Sequence, residues 1–271
     1  MDYRSILVEL ASEGSVTTNL PVAQRLAERF DATCVALHVM PEPFVPVPWE
    51  GGSSVYIQPG LVEAQRRAAH AARDRIEAAF RQLASGDARI GWHEGEGNQE
   101  RLFAEADLTS DLVLAARGRA VGLDAPDMVD RLITVIGVPF LMLPPDGPTD
   151  AGRTVLIGWN GSREATRAAH EALPFLVRAD RVVLCAVGDT GAARLDAAAS
   201  MLRRHGVPVE PLARSEPDGA AGHALLAAAQ EQRADLLVMG SYGRARLREL
   251  IFGGATRHVV REARLPVLFG S

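Results

Sequence analysis

The sequence predicts an α/β protein of two tandem domains, each an open five-stranded parallel sheet with helices on both faces. Three observations predict it. Short apolar runs alternate with helical segments along the whole chain, which is the pattern of a parallel sheet covered on both sides. The alternation occurs twice, in the same order. Several runs, such as DLLVMG at 235–240, are continuously apolar, as strands buried on both faces are.

The elements follow in order. First strands are expected at SILVEL (5–10) and TVLIGW (154–159), each followed by a polar turn and a helix, TTNLPVAQRLAERF in the first half and REATRAAHEALPFL in the second. Second strands at 33–40 and 180–187 place Cys34 and Cys185 in equivalent positions. Second helices are expected from Gln58 to Leu83 and from Ala192 to His205. The strands ARIGWHEG and VPVEPLAR follow, then NQERLFAEA and HALLAAAQEQ, which have helical periodicity. The clearest repeat is the fourth strand, DLVLAARG at 111–118 and DLLVMGSYG at 235–243. Each half closes on a strand with a proline near its start, VPFLML (138–143) and LPVLFG (265–270).

The connector LPPDGPTDAGR is rich in Pro, Gly and Asp and reads as a linker. It sets domain boundaries at 1–146 and 151–271. An insertion over 41–59, with prolines at 41, 43, 46, 48 and 59, interrupts only the first half. It cannot be a regular helix or a central strand. A lid, a segment draped over the other half and a loop packed on its own domain, carrying Phe44, Trp49 and Tyr56, all remain open readings.

Bulk properties narrow the classes of function. A chain of 271 residues, 47% hydrophobic and 23% charged, suits a globular protein with sizeable cores. The net charge of −5 gives no basic excess for general nucleic-acid binding. No apolar run approaches the roughly 20 residues that span a bilayer. The start, MDYRSILVEL, lacks a cationic n-region. Two distant cysteines in apolar runs read as buried thiols in a reducing compartment. The expected location is the cytoplasm.

The chemistry concentrates after the fourth strand of the second half. Ligands of open parallel sheets bind beyond the carboxyl ends of the strands. Strand 1 ends there in Asn160, strand 2 in Ala186 and Val187, and strand 4 in Met239 and Gly240. Gly240 and Gly243 allow close backbone approach or positive φ. Gly253 and Gly254 precede Ala255 and Thr256 at the expected start of the last helix, where unpaired N–H groups and the positive dipole end suit phosphate. Thr256 would add a hydroxyl and Arg244 a charge. No Walker-type loop is present, and no G-x-G-x-x-G follows either first strand.

The spacing Gly240-Ser241-Tyr242-Gly243, nine residues, then Gly253-Gly254 resembles the G-x-x-G, nine residues, G-[ST] motif of ATP-binding universal stress proteins. The likeness extends to the order of strands and helices in both halves, so the chain resembles a tandem universal stress protein of two Rossmann-like domains. The resemblance implies ATP, ADP or AMP as ligand, with Mg as an accompanying ion. It implies that Asn160 stands near ribose or adenine where the family has Asp. The backbone of Ala186 or Val187 would meet adenine, and Gly240, Gly243, Gly253 and Gly254 the phosphates and ribose. The family's Ser or Thr is here Gly254. It also implies pairing of the two halves through their last strands, and leaves room for a homodimer.

The first half departs from that motif. Ala116 and Arg119 replace the first two glycines, and no glycine pair precedes PDMVDR. Asp124 and Asp127 would repel phosphate, and strand 1 ends in Glu9-Leu10. This half is expected to be structural and nucleotide-free.

Blander readings stand beside these. The glycines serve equally as turn residues, Arg244, Arg246 and Arg248 as a solvated face, and Asn160 and Ser162 as turn and cap. His38 and His223 are isolated, and His258 falls in the last helix. His93, Glu94 and Glu96 form a polar cluster without metal spacing, and no G-x-S-x-G occurs. Two functions remain: a stress-response protein binding adenine nucleotide, with slow hydrolysis at most, and a nucleotide-free module for dimerisation and for binding an unnamed protein partner.

Overall fold

A computed structural model describes residues 2–43, 60–118, 128–145, 150–188, 194–241 and 254–270. Ten strands form one sheet in the order β3-β2-β1-β4-β5-β10-β9-β6-β7-β8. In the first half these are β1 (Ser5–Glu9), β2 (Thr33–Met40), β3 (Ile90–Glu96), β4 (Leu112–Ala116) and β5 (Phe140–Leu143). In the second half they are β6 (Thr154–Trp159), β7 (Arg181–Val187), β8 (Val209–Arg214), β9 (Leu236–Gly240) and β10 (Val267–Gly270). The order is palindromic. Pairing is parallel within each half and antiparallel at the centre, where Phe140, Leu141 and Met142 of β5 face Phe269, Leu268 and Val267 of β10.

Helices cover both faces. On one lie α1 (Glu13–Phe30), α2 (Leu61–Leu83), α5 (Arg163–Glu171), α6 (Leu173–Leu176) and α7 (Leu195–Arg204). On the other lie α3 (Gln99–Ala106), α4 (Met128–Val135), α8 (Ala221–Glu231) and α9 (Gly254–Glu262). Each face carries one apolar core drawn from both halves.

Local chemistry sets the ends of these elements. The helix expected from Thr17 starts at Glu13, because Ser12 accepts from the Ser15 amide and Ser15 returns a bond, a reciprocal cap. The helix expected through residue 176 breaks after Glu171. Pro174 has no N–H for the preceding turn and instead opens the short α6. Pro211 lies within β8, which stands at one margin of the sheet, the place where a strand tolerates a missing donor.

The repeated aspartates that open the fourth strands have a shared task. Asp111 accepts from the amides of Arg4 (2.7 Å) and Ser5 (3.0 Å). Asp235 accepts from those of Gly152 (2.8 Å), Arg153 (3.0 Å) and Thr154 (3.2 Å). Each carboxylate fixes the start of the first strand of its half. Replacing Asp235 with Ala strips charge-assisted bonds from three amides and should cost about 2 kcal/mol in urea unfolding. A loss under about 0.5 kcal/mol would assign those amides to solvent.

Aromatic rings fasten the two halves on one face. Tyr3, Phe30 and Phe175 meet edge to face at centroid distances of 5.2, 5.8 and 5.0 Å, a favoured ring geometry. The Tyr3 hydroxyl donates to Glu171 O at 2.6 Å. Burial pushes that phenol well above its ordinary pKa, and the charge of Glu171 adds to the shift. Arg178 pairs with Asp2 at 2.7 Å across the same joint. Its hydrogen bond holds the Asp2 carboxyl below the usual range.

Candidate functional site

In each half the strand order reverses between the first and fourth strands, so the crevice of a doubly wound sheet falls at the carboxyl ends of β6 and β9 and of β1 and β4. Because β5 and β10 are antiparallel, the two crevices open at opposite ends of the sheet.

At the second-half crevice, β6 gives way to Asn160, Gly161 and Ser162. Asn160 Oδ1 accepts from the Ser162 amide at 3.1 Å, and Gly161 turns with φ of 72°. Ser162 Oγ accepts from the Ala165 amide at 3.1 Å and caps α5. Asn160 therefore holds the turn that starts α5. Arg194, just ahead of α7, donates to Gly161 O at 3.2 Å. The sequence carries no signal for this contact, since Arg194 belongs to no motif.

The neighbouring strand ends contribute backbone. Ala186 and Val187 are buried, Ala186 in register with Trp159, and Gly188 follows with φ of 75°. Met239 is buried beside Gly158. Gly240 does not have a positive φ, and the group it approaches closely is a helix. A Cβ there would lie 2.7 Å from Glu164 C and 2.9 Å from Ala165 N. Gly240 is in register with Gly270, where a Cβ would lie 2.5 Å from Ala168 Cβ. The alanine face of α5 thus rests on two paired glycines.

Gly254 opens α9, and a Cβ there would meet nothing within 4 Å. Among the described residues no packing constraint explains this glycine. Ala255 lies against Gly222 at the start of α8, and Thr256 is buried in the first turn. His223 and His258 sit with ring centroids 6.1 Å apart where those two helices meet. Gly243, Arg244, Arg246, Arg248 and Gly253 lie outside the described residues, as do Arg119, Asp124, Asp127 and residues 44–59. The structure thus brings the ends of β6, β7 and β9 together by strand pairing.

The first-half crevice is filled by its own side chains. Glu9 occupies the position of Gly158 and is buried. Asn19 Nδ2 donates to Glu9 O at 2.7 Å and lies 3.3 Å from its carboxylate. His38 Nδ1 lies 2.7 Å from Leu10 O, so it carries the proton, and the ring stacks on Trp92 at 5.8 Å. Beyond Ala116, Arg117 donates to Val260 O and Arg261 O, the last carbonyls of α9 in the other half. A cation suits that dipole end.

Among the described residues no group of three or more His, Cys, Asp or Glu is placed to hold a metal, and no helix is long and apolar enough to cross a membrane. His93, Glu94 and Glu96 thus line an edge strand without forming such a group. Cys34 and Cys185 are free and buried, and burial pushes their thiols up to about 12 and about 11. Neither thiol should react with a disulfide reagent at pH 8 until the protein is unfolded. Stoichiometric labelling of the native chain would show that one of these strands opens readily.

Residues 192–269 match the sequence model of the Universal stress protein family. Comparison with curated proteins gives no match. Among solved structures, a universal stress protein from Archaeoglobus fulgidus DSM 4304 superposes with a TM-score of 0.72 at 15% identity, covering 98% of each chain. A functionally unknown protein from Pseudomonas aeruginosa PAO1 superposes with a TM-score of 0.59 at 15% identity, covering 98% of this chain and 92% of its own. The family's sequence model thus matches within the second half, and the likeness to these structures shows the fold of the whole chain.

Proposed function

We propose that the domain over 151–271 binds ATP or a related adenine nucleotide, with Mg, and that the protein acts in a cytoplasmic stress response or its signalling. The domain over 1–146 binds none and supports its partner. The observation that carries this reading is Gly254. It opens a helix of nine residues, has no described atom within 4 Å of where a side chain would stand, and completes the G-x-x-G-x9-G-G spacing. A glycine at a helix N-terminus that no described neighbour requires suits the close approach of an anion. Asn160 and the backbone of Ala186 or Val187 would face ribose and adenine, with Met239 beside them, and Gly240 would meet the phosphates and ribose. Gly243, Arg244, Gly253, Gly254, Ala255 and Thr256 would surround the phosphates.

The test is calorimetric titration of nucleotide-stripped protein with Mg-ATP, beside Gly254→Asp. No described atom crowds the position, so the variant should fold, and aspartate suits a first helical turn. Its charge opposes phosphate, and binding should weaken on the order of tenfold or more. Equal affinity in both proteins would remove phosphate from the α9 terminus. A second reading, a nucleotide-free module for dimerisation and partner binding, is favoured by Gly240 packing on α5 and by Asn160 holding its own turn. Absence of any saturable nucleotide binding would select it.

A further inference from the structure

Away from both crevices, a cavity of about 200 Å³ lies where α1 meets the start of β6. Arg25, Arg29 and Arg153 line it, over a floor that includes Val22 and Leu26, and Asp150 is the one acidic residue in its wall. The wall carries three guanidinium groups and one carboxylate, and Arg153 has a further carboxylate partner in Asp180.

Arg29 is the centre of the argument. It is part-buried between the halves and donates to Ala151 O at 2.7 Å and Gly152 O at 3.0 Å. It also lies over the rings of Phe30 and Phe175. Among the described residues no carboxylate pairs with it. Arg25 reaches Asp150 at 3.3 Å, and Arg153 is bound to Asp180 at 3.1 Å. Desolvation, and after it repulsion from Arg178, pulls the Arg29 pKa down against the weaker attraction of Asp235 and Asp180. A desolvated cation with no carboxylate at ion-pair distance is unfavourable. An anion entering this cavity would relieve that cost, and a guanidinium using two of its five donors has donors left for oxygen.

We propose that this cavity is an anion site at the joint between the halves, taking a phosphate group on a compact body. Planar guanidinium donors fit phosphate oxygens. The apolar floor fits a small organic portion. The occupant bridges α1 of the first half to the strand that starts the second, so it stiffens the joint. The site is independent of nucleotide at α9.

The test uses the full chain carrying Gly254→Asp, so that the α9 terminus does not contribute. Inorganic phosphate and phenyl phosphate are titrated at constant ionic strength, following melting temperature and heat. Saturable binding of one anion per chain is expected, with a rise in melting temperature. Arg25→Ser with Arg153→Ser should weaken it at least tenfold, while Arg29 is kept because it holds the joint. Asp150→Asn should tighten binding several-fold by removing the competing carboxylate, a gain that damage to the fold would not produce. Phenyl phosphate binding more tightly than phosphate assigns the site to an organic phosphate; equal binding assigns it to the free ion. A response matched by sodium chloride, or unchanged in the double variant, overturns the proposal.

Discussion

Gly270→Ala should be among the most damaging single-methyl additions in this protein. The new Cβ would lie 2.5 Å from Ala168 Cβ and 2.8 Å from Ala168 N, and it would also press on Ala168 Cα. These are atoms of a helix backbone and its shortest side chain, so no rotamer change gives way. Either α5 lifts from the sheet or β10 loses its register with β5 and β9, and overpacking of this kind costs about 3 kcal/mol. The control is Gly254→Ala, where a Cβ meets nothing within 4 Å. That change should be neutral or stabilising, by up to about 1 kcal/mol, because alanine narrows the unfolded ensemble. Urea unfolding of both variants measures the contrast. A loss below about 1 kcal/mol at Gly270 would mean that α5 is not held as closely as these distances require.

Phe175→Ala should cost about 3–5 kcal/mol. The ring is completely buried. It contacts Tyr3 and Phe30 edge to face, and the Arg29 guanidinium lies 5.4 Å from its centroid. Its loss opens a cavity where two halves meet, and leaves a desolvated cation without one of the rings beneath it. The loss should appear first as a looser joint. Hydrogen exchange should rise along α1, α6 and the start of β6 before the sheet centre responds. Uniform exchange across the chain would show instead that both halves unfold as one unit around β5 and β10.

The strand and helix order was legible because it rests on local periodicity. Runs such as DLVLA and DLLVMG are apolar for a reason visible in the residues themselves: both sides of the strand are covered. The break at Pro174 and the early start of α1 were less visible. The first depends on whether a helix tolerates the missing N–H or restarts around it. The second depends on a serine pair that any loop could carry. The site was legible only as a demand for small residues. Glycine at 240 announces that something comes close to the backbone, but sequence does not say what. The structure answers with the first turn of α5. Arg29, Arg117 and Arg194 belong to no motif, because their partners are carbonyl oxygens distant in the chain, and backbone atoms leave no mark in the sequence of their neighbours.

The palindromic sheet also bears on heredity. When two identical chains pair through their last strands, one gene writes both crevices, and a substitution in one is forced on the other. Here β5 and β10 belong to a single chain, and each crevice has its own codons. A buried glutamate can be fixed at position 9 while its counterpart stays glycine at 158. Selection can then fill one crevice without touching the other, an inequality that a symmetric pair of chains has no means of inheriting.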